Sequence, residues 1–280
     1  MSGRLRQVCR GALRRAVSLP LQLAGSNLRA EALTSLWDGA EVDARTAGGN
    51  IKFFAPTPML QWRARTLLDK EPETIAWIDQ LGSDAVLWDV GANVGMFSLY
   101  AAATRRCRVM AFEPSASNYA VLTRNVQMNA LNDLVTAYCL ALAGETSIGV
   151  MNLDSSAMGS AMTQFGKPGD KSRYSSSDRR LTHGMVGFTI DEFVERFAPQ
   201  LPTHIKIDVD GLELPILRGG VRTLGAPAVQ SVIVELTLTH REELEQSIAF
   251  LASCGLHLTE RGSSQGEPSE QGANHIFTRA

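Results

Sequence analysis

The amino-acid sequence predicts an α/β protein in which a doubly wound, mostly parallel sheet is covered by helices on both faces. Short apolar runs typical of buried strands alternate with stretches of helical periodicity. Several of these runs end at an acidic residue, as expected where parallel strands deliver polar side chains to one edge of a sheet. A chain of 280 residues, 44% of them apolar, is also long enough to bury one large core.

The predicted elements follow one another in the order that such a fold needs. The strand patterns cover residues 85–90, 108–112, 135–140, 204–209, 231–236 and 275–278. The helical patterns cover residues 94–103, 118–128, 190–197 and 241–252. Two polar stretches, 152–186 and 262–274, stand apart, and the first is too long for an ordinary connection. We therefore predict a substrate loop or lid at 152–186.

Residues 1–50 are predicted to form a basic leader with a helical extension, ahead of a main domain over residues 51–280. Six arginines precede Glu31, the first acidic residue, and apolar residues recur at helical spacing as far as Pro20. This pattern is typical of an amphipathic helix that lies on an anionic membrane surface. A solvated leader and an organelle transit peptide are alternatives that the pattern leaves open.

Charge and cysteine content narrow the class of protein. A net charge of -2 gives no basic field for holding a nucleic-acid backbone. The four cysteines show neither C-x-x-C pairs nor zinc-finger spacing, which favours reduced thiols in a cytoplasmic protein. No apolar run reaches the length of a membrane span. We expect a cytoplasmic protein that contacts a membrane, if at all, peripherally through its leader.

The stretch "WDVGANVG", residues 88–95, joins the first strand to the first helix of the main domain. Gly91 and Gly95 favour a close approach of the backbone to a ligand, and Asn93 is a good residue for the turn. The pattern D-x-G-x-N-x-G differs from the G-x-G-x-x-G loop that holds a pyrophosphate. Asp89 would repel a pyrophosphate, so we predict a ligand with a positive charge.

The next strand ends "VMAFEP", which places Glu113 and Pro114 at its carboxyl end. A carboxylate there is well placed to accept hydrogen bonds from both hydroxyls of a ribose. A ribose together with a positive charge near Asp89 indicates S-adenosylmethionine, which carries a sulfonium and an ammonium group.

A third acidic stretch, "HIKIDVDGLELPILRGG", begins at residue 204. Asp208, Asp210 and Glu213 repel one another unless a cation neutralises them, and Lys206 alternates onto the same face as Asp208. Asp208 and Glu213 are candidates for binding a divalent cation such as Mg²⁺, or Asp208 is a general base. For Asp210 we favour a solvated turn or a helix cap.

The run "VIVEL" then places Glu235 at a further strand end, with His240 five residues later. Asp89, Glu113, Asp208 and Glu235 would thus meet at one edge of the sheet, which is costly without a function. We predict Asp208, Lys206, Glu235 and His240 as catalytic candidates. Aromatic residues upstream, Phe53, Phe54 and Trp62, are candidates for walls of an acceptor pocket or for core packing.

Together, "VLWDVGANVGMFSLYAA", "VMAFEPSASNYAVLTRNVQMN", "TIDEF", "IKIDVDGLELPILRGG" and "VIVEL" resemble the FkbM-type methyltransferases over roughly residues 52–280. The resemblance implies a class I S-adenosylmethionine-dependent fold, a seven-stranded sheet with a reversed last strand, and methyl transfer to a hydroxyl. It implies acceptors that are sugar hydroxyls of glycans and glycolipids, or polyketide hydroxyls.

The resemblance also assigns individual residues. It implies that Asp89, Gly91, Asn93 and Gly95 form the cofactor loop and that Glu113 is the ribose acid. It matches Lys206, Asp208, Gly211 and Glu213 to the family's K-I-D-V-E-G-x-E segment, from which this chain departs by having Asp210 in place of Glu.

Two other classes of function compete with methyl transfer. A nicotinamide-dependent oxidoreductase uses the same sheet topology, but Asp89 and the missing third glycine disfavour it. A noncatalytic scaffold of the same fold would have little reason to keep the acidic strand ends.

Overall fold

The computed structural model describes residues 26–167, 181–262 and 272–280, so the amphipathic pattern predicted as far as Pro20 lies outside the described residues. The chain divides into two compact units, residues 1–41 and 42–280. In the first unit, helix α1 (Ser26–Asp38) has no buried residue. The predicted domain boundary at residue 50 stays a prediction. No helix within the described ranges has both the length and the apolar character needed to cross a membrane.

Thirteen strands and, after α1, eight further helices lie within the described residues. The strands are β1 (Glu41–Thr46), β2 (Gly49–Phe54), β3 (Val86–Val90), β4 (Arg108–Phe112), β5 (Val135–Tyr138), β6 (Ala141–Leu142), β7 (Ser147–Leu153), β8 (Thr163–Gly166), β9 (Leu181–Phe188), β10 (His204–Ile207), β11 (Ser231–Thr237), β12 (Leu256–Arg261) and β13 (Gly272–Arg279). The helices are α2 (Pro58–Arg65), α3 (Pro72–Ile78), α4 (Met96–Arg105), α5 (Ala116–Met128), α6 (Ile190–Phe197), α7 (Glu213–Arg218), α8 (Val221–Gly225) and α9 (Arg241–Ser253).

The central sheet has seven strands in the order β12-β13-β11-β10-β3-β4-β5. Strands β11, β10, β3, β4 and β5 pair in parallel, whereas β13 runs antiparallel to both of its neighbours. The predicted fold class is confirmed, including the reversed last strand. Because β3 is central, the residues that follow it and its neighbours β10 and β4 meet at one edge of the sheet.

Alternation along β3 shows how the sheet separates two cores. Leu87 packs with α4 and α5 on one face, whereas Val86, Trp88 and Val90 pack on the other face with α6 and its neighbours. On that second face, Trp88 and Phe112 join an aromatic cluster around Phe193 of α6. Both faces of the central strands are therefore buried, which explains their nearly continuous apolar sequences.

The stretch predicted as a loop at 152–186 is partly regular structure. A four-stranded sheet with the order β6-β9-β7-β8 occupies much of it, and residues 168–180 lie outside the described residues. Gly149 and Gly187 lie under the ring of Phe165, and a Cβ on either would come within 2.8 Å of that ring. These glycines make β7 and β9 look like loops in sequence, while in the fold they accommodate the aromatic ring.

Strand β12 was also missed, because only Leu256 of its six residues is buried. It is an edge strand with a polar sequence, and the polar loop predicted at 262–274 begins after it. Residues 263–271 of that loop lie outside the described residues.

Candidate active site

A cavity of about 430 Å³ opens at the carboxyl ends of the central strands. Gly91 follows β3, Glu113 follows β4, Asp208 follows β10, and Glu235 lies in β11; all four residues line the cavity. The volume is in the usual range for a site that binds a small ligand. The structure thus brings together most of the acidic strand ends that the sequence predicts.

The loop after β3 is held in an unusual backbone conformation. Gly91, Asn93 and Gly95 all have a left-handed φ, of 83°, 51° and 84° respectively. A Cβ at Gly91 would lie 1.9 Å from the carbonyl oxygen of Asp208, and one at Gly95 would lie 2.3 Å from Leu122 Cδ1. Both glycines are therefore required for packing within the protein, and of the two only Gly91 lines the cavity.

Glu113 is buried at the cavity wall, next to Pro114. Its Oε2 accepts a hydrogen bond from the Asn93 amide at 2.7 Å, and its Oε1 accepts one from the Ser115 amide at 2.8 Å. Burial raises the pKa of Glu113 to about 7, although these hydrogen bonds oppose the rise. Each oxygen keeps a lone pair for a further donor, so the fixed carboxylate remains able to bind ribose hydroxyls.

Asp89 lies in a different place from the one expected of a group that contacts the ligand. It is 1% exposed, is not part of the cavity wall, and accepts a hydrogen bond from Ser98 Oγ at 2.6 Å. Its Oδ1 is buried without a hydrogen-bond partner among the described residues. In the ladder between β3 and β10, Asp89 is directly opposite Lys206. Burial raises the pKa of Asp89, and the charge of Lys206 and the hydrogen bond from Ser98 oppose that rise.

Lys206 lies between the buried Asp89 and the cavity residue Asp208. Its side chain is 2% exposed, and its Nζ lies 2.8 Å from Asp208 Oδ2, whereas Asp208 is 24% exposed. Burial alone lowers the pKa of Lys206, but the charges of Asp208, Glu71 and Asp89 outweigh burial and raise it. The lysine is consequently a permanent cation, and the predicted pairing of Lys206 with Asp208 is present.

Asp208 and Glu235 form a closely coupled pair of carboxyl groups. Burial opposes ionisation of Asp208, but Lys206, a hydrogen bond with Glu235 and Lys70 hold the pKa of Asp208 well below its usual range. The charge of Asp208, followed by burial, raises the pKa of Glu235 well above its usual range. Asp208 is therefore ionised while Glu235 holds the proton that the pair shares.

Asp210 is more than the solvated turn that its sequence context favours. It lines the cavity in a left-handed conformation, with φ of 57°, and its Oδ2 accepts a hydrogen bond from the Thr163 amide at 3.2 Å. Gln164 Nε2 donates to the Asp210 carbonyl at 2.7 Å. Aspartate tolerates the left-handed region better than most residues, which fits its place in this turn. Asp210 thus connects the turn after β10 to β8.

The predicted metal pair does not converge in the structure. Glu213 Oε1 accepts hydrogen bonds from the amides of Gly211 at 3.0 Å and Val209 at 3.3 Å, and it lines a separate small cavity. Asp208 is paired with Lys206 in the main cavity. Within the part of the chain that the structure describes, no group of three His, Cys, Asp or Glu side chains is arranged to hold a metal. The geometry therefore gives the predicted metal role no support.

His240 also lies apart from the cavity. It immediately precedes α9, is exposed, and has its Nδ1 3.3 Å from Glu243 Oε2. It lines a shallow depression on the surface with Arg241, Glu242 and Glu243. Its predicted catalytic role finds no support in this position, because the turn between β11 and α9 carries it away from the sheet edge.

Other cavity residues were not predicted from the sequence. Arg63 and Lys70 come from α2 and the segment after it, Glu71 follows directly, and Asn274 comes from β13. No motif marks them, since they are distant in sequence from the acidic strand ends. Among the upstream aromatic residues, Phe53 and Phe54 are buried in the core, whereas Trp62 is 47% exposed and lines the cavity.

A short segment, residues 157–163, covers part of the cavity, and we call it the strap. Asn93 Nδ2 and Asn118 Nδ2 donate to the Ser160 carbonyl at 2.9 and 3.0 Å. Asn118 Oδ1 accepts from the Gly159 amide at 2.8 Å, and Arg63 Nε donates to the Gly159 carbonyl at 2.7 Å. The side chain of Asn93 therefore holds the strap, and the 152–186 insertion does contribute to the site.

Comparisons with known proteins show which sequences this chain is similar to. Residues 89–258 match the Methyltransferase FkbM domain. Hexuronic acid methyltransferase AglP of Haloferax volcanii is 26% identical over 193 residues, which cover 69% of this chain and 73% of AglP. Methyltransferase sdnD of Sordaria araneosa is 29% identical over 189 residues, which cover 56% of this chain and 68% of sdnD.

Methyltransferase FkbM from Methylobacillus flagellatus KT superimposes with a TM-score of 0.49 at 14% sequence identity. The superposition covers 70% of this chain and 44% of that chain, so this chain spans less than half of that protein's length.

The match to the FkbM domain takes in the loop after β3, Glu113 and the Lys206–Asp208 pair, and it covers more than half of the chain. The chain belongs to the FkbM methyltransferase family and is an S-adenosylmethionine-dependent methyltransferase.

Proposed function

We propose that this enzyme methylates a hydroxyl group of a sugar, most simply of a uronic acid within a glycan or glycolipid. The observation that carries the proposal is Asp208 at the wall of a ligand-sized cavity, with Oδ2 2.8 Å from the ammonium of buried Lys206, a contact that favours the ionised carboxylate. Such a carboxylate suits a hydroxyl acceptor, which must lose a proton when it is methylated. The choice of a uronic acid rests on the name of the relative AglP.

The residues of the cavity fit S-adenosylmethionine. Five acidic residues, Glu71, Glu113, Asp208, Asp210 and Glu235, line the cavity with two basic ones, Arg63 and Lys70, and the wall stays on balance acidic even with Glu235 neutral. An acidic surface favours a ligand that carries a sulfonium and an ammonium group. The fixed carboxylate of Glu113 would accept hydrogen bonds from the ribose, and when bound the cofactor would supply an electrophilic methyl group.

Asp208 would then accept the proton of the acceptor hydroxyl. A carboxylate of low pKa is a weak base, but the oxygen becomes strongly acidic as its bond to the methyl group forms. Asp208 therefore needs to be ionised and well placed more than it needs to be strongly basic. Lys206 keeps it ionised, and the neutral Glu235 orients it through their hydrogen bond.

Trp62 supports a sugar as the acceptor. It lies in α2, lines the cavity and is half-exposed. An indole ring offers a flat apolar surface with one polar edge, which suits the C–H face of a pyranose surrounded by hydroxyls. The carboxyl groups of Glu71 and Glu235 would accept hydrogen bonds from those hydroxyls.

A transfer assay with methyl-labelled S-adenosylmethionine tests the proposal. The acceptors are methyl hexuronosides, neutral methyl hexosides, uronate-containing glycolipids and a hydroxylated polyketide. We expect label on the oxygen of a sugar. Label on the polyketide alone would replace the sugar by the second acceptor class that the family resemblance implies.

Asp208→Asn should lower kcat by about 10²- to 10⁴-fold, the usual contribution of a general base. Its affinity for S-adenosylhomocysteine, measured by calorimetry, should change little. The exposed Asp69, changed to Asn, is the matched control. Normal turnover by Asp208→Asn would remove Asp208 from the reaction.

Activity should survive chelation with EDTA, because Lys206 supplies the positive charge beside Asp208. Loss of turnover that Mg²⁺ restores would reinstate the metal prediction.

A further inference from the structure

Arg63 lies on α2 with its side chain at the cavity wall. Its Nε donates to the Gly159 carbonyl of the strap at 2.7 Å, which fixes the plane of the guanidinium. Burial lowers the pKa of Arg63, while the charges of Asp208, Asp210, Glu71 and Glu113 act in the opposite direction. The guanidinium is therefore a half-buried cation whose orientation is set by the protein.

The other cations around the cavity each have a carboxylate in contact. Lys206 lies 2.8 Å from Asp208, and Lys70 lies 2.7 Å from Glu71. Among the described residues, Arg63 forms no ion pair within 4.0 Å, and its terminal nitrogens have no hydrogen-bond partner.

A ligand anion would complete this arrangement. A guanidinium removed from water needs an anion with good hydrogen-bond geometry to offset its lost solvation. The terminal nitrogens of arginine form a planar fork that matches a carboxylate in a bidentate pair. The hydrogen bond to the strap uses Nε, so the two terminal nitrogens of Arg63 remain available to a ligand in the cavity.

We propose that the fork of Arg63 binds a carboxylate of the ligand in this cavity. Two ligands supply such a group: S-adenosylmethionine through its amino-acid end, and a hexuronate acceptor through its uronic acid. The second source rests on the proposed function, whereas the first depends only on the cofactor. In either case Arg63 selects for an anionic group in a cavity whose wall is otherwise mainly acidic.

Calorimetry on the full chain separates the two sources. The cofactor probes are S-adenosylhomocysteine and 5′-methylthioadenosine, which has the adenosyl thioether but lacks the amino-acid carboxylate. The acceptor probes are methyl glucuronoside and methyl glucoside, each titrated into protein saturated with S-adenosylhomocysteine. The variants are Arg63→Gln and Arg63→Lys, and the control is Arg65→Gln, two residues further along α2 and exposed. Thermal melting checks that each variant is folded.

If the carboxylate comes from the cofactor, Arg63→Gln should lower the affinity for S-adenosylhomocysteine by about 10- to 100-fold, as expected for loss of charged hydrogen bonds. Its affinity for methylthioadenosine should change little. For the acceptor source, the same loss should appear for the glucuronoside and not for the glucoside. Arg63→Lys should retain part of the affinity, because it keeps the charge and loses the fork.

A purely structural role through the strap would behave differently. In that case Arg63→Gln would lower the affinity for methylthioadenosine as much as that for S-adenosylhomocysteine, and the affinity for the glucoside as much as that for the glucuronoside. Either of those parallel losses, or unchanged affinity for every probe, would overturn the proposal. If neither sugar binds to the unmodified protein, the proposed sugar acceptor fails, and the two cofactor probes alone decide the role of Arg63.

Discussion

Lys206 is a buried residue on which several ionisable groups of the site depend. Its ammonium is in contact with Asp208, is opposite Asp89 across the β3–β10 ladder, and feels the charge of Glu71. Without it, Asp208 and Asp89 would lose the buried cation nearest to them, and Lys70, which is paired with Glu71, would be left to offset their charge. Its neighbours Ile205 and Ile207 point to the other face of the sheet and join the apolar core there.

Lys206→Met should lower the free energy of unfolding at pH 7 by about 3–5 kcal/mol, because it leaves buried carboxylates unpaired. The loss should shrink as the pH falls towards 5, since the acids can then be protonated in the folded chain. Urea unfolding at both pH values measures it, with Lys52→Met, at an exposed position of β2, as control. An equal loss at both pH values would assign Lys206 a packing role only.

Glu113, Asp208 and Glu235 could be predicted from the sequence because each ends an apolar run, and the parallel sheet brings those ends together. The pairing of Lys206 with Asp208 followed from strand alternation alone. Arg63 and Asn274 could not be found in this way, because α2 and β13 reach the cavity through tertiary packing that leaves no local pattern. His240 misled for the converse reason, being close in sequence to Glu235 but carried away by a turn.

At the scale of elements, the loop between β3 and α4 packs closely against helix α5. Gly95 immediately precedes α4 with a left-handed φ, and the Leu122 side chain of α5 occupies the space where its Cβ would be. Leu99, one turn into α4, closes the same space. The glycine therefore joins two constraints, a backbone conformation and a close helix contact.

Gly95→Ala should lower the free energy of unfolding by about 2–5 kcal/mol, the combined cost of a left-handed alanine and an overpacked contact. Gly184→Ala in β9 is the matched control, since a Cβ there would meet nothing within 4 Å. Denaturant unfolding of both variants gives the comparison. If the two variants were equally stable, Leu122 and the loop would have to relax freely, contrary to the packing described above.

The same physical distinction decides which elements the sequence could predict. Strands β3, β4, β10 and β11 are buried on both faces, so their apolar runs identify them unambiguously. The sheet of β6 to β9 is covered on one side only; Ile148 in β7 is 84% exposed, and glycines interrupt the pattern. Its strands depend on pairing with one another, which a single-sequence pattern does not contain.

For the whole molecule, the buried acids make folding depend on pH. Burial raises the pKa of Glu113 and Glu213 to about 7 and that of Asp210 to about 6. At a pH between the pKa of such a group in the unfolded chain and its higher pKa in the folded chain, the folded chain keeps a proton that the unfolded chain has lost. Stability from these groups therefore falls as the pH rises from about 4 to about 7. Asp208 acts in the opposite sense, since its lowered pKa stabilises the fold at neutral pH.

Glu213 isolates this effect, because its carboxyl oxygen accepts backbone hydrogen bonds from Val209 and Gly211 and lies outside the main cavity. A glutamine oxygen accepts the same bonds without carrying a charge. The free energy of unfolding of the wild type should fall between pH 5 and pH 8 as Glu213 ionises. In Glu213→Gln that fall should be smaller by up to about 3 kcal/mol, since each pKa unit corresponds to about 1.4 kcal/mol.

Urea unfolding at the two pH values, with the exposed Glu260 changed to Gln as control, measures that difference. The expected result is a variant that is close to the wild type at pH 5 and more stable than it at pH 8. A variant less stable than the wild type at pH 8 would mean that the ionised Glu213 holds its turn more strongly than burial opposes it. Glu213 would then stabilise the fold at neutral pH, and the fall in stability with rising pH would have to be assigned to Glu113 and Asp210.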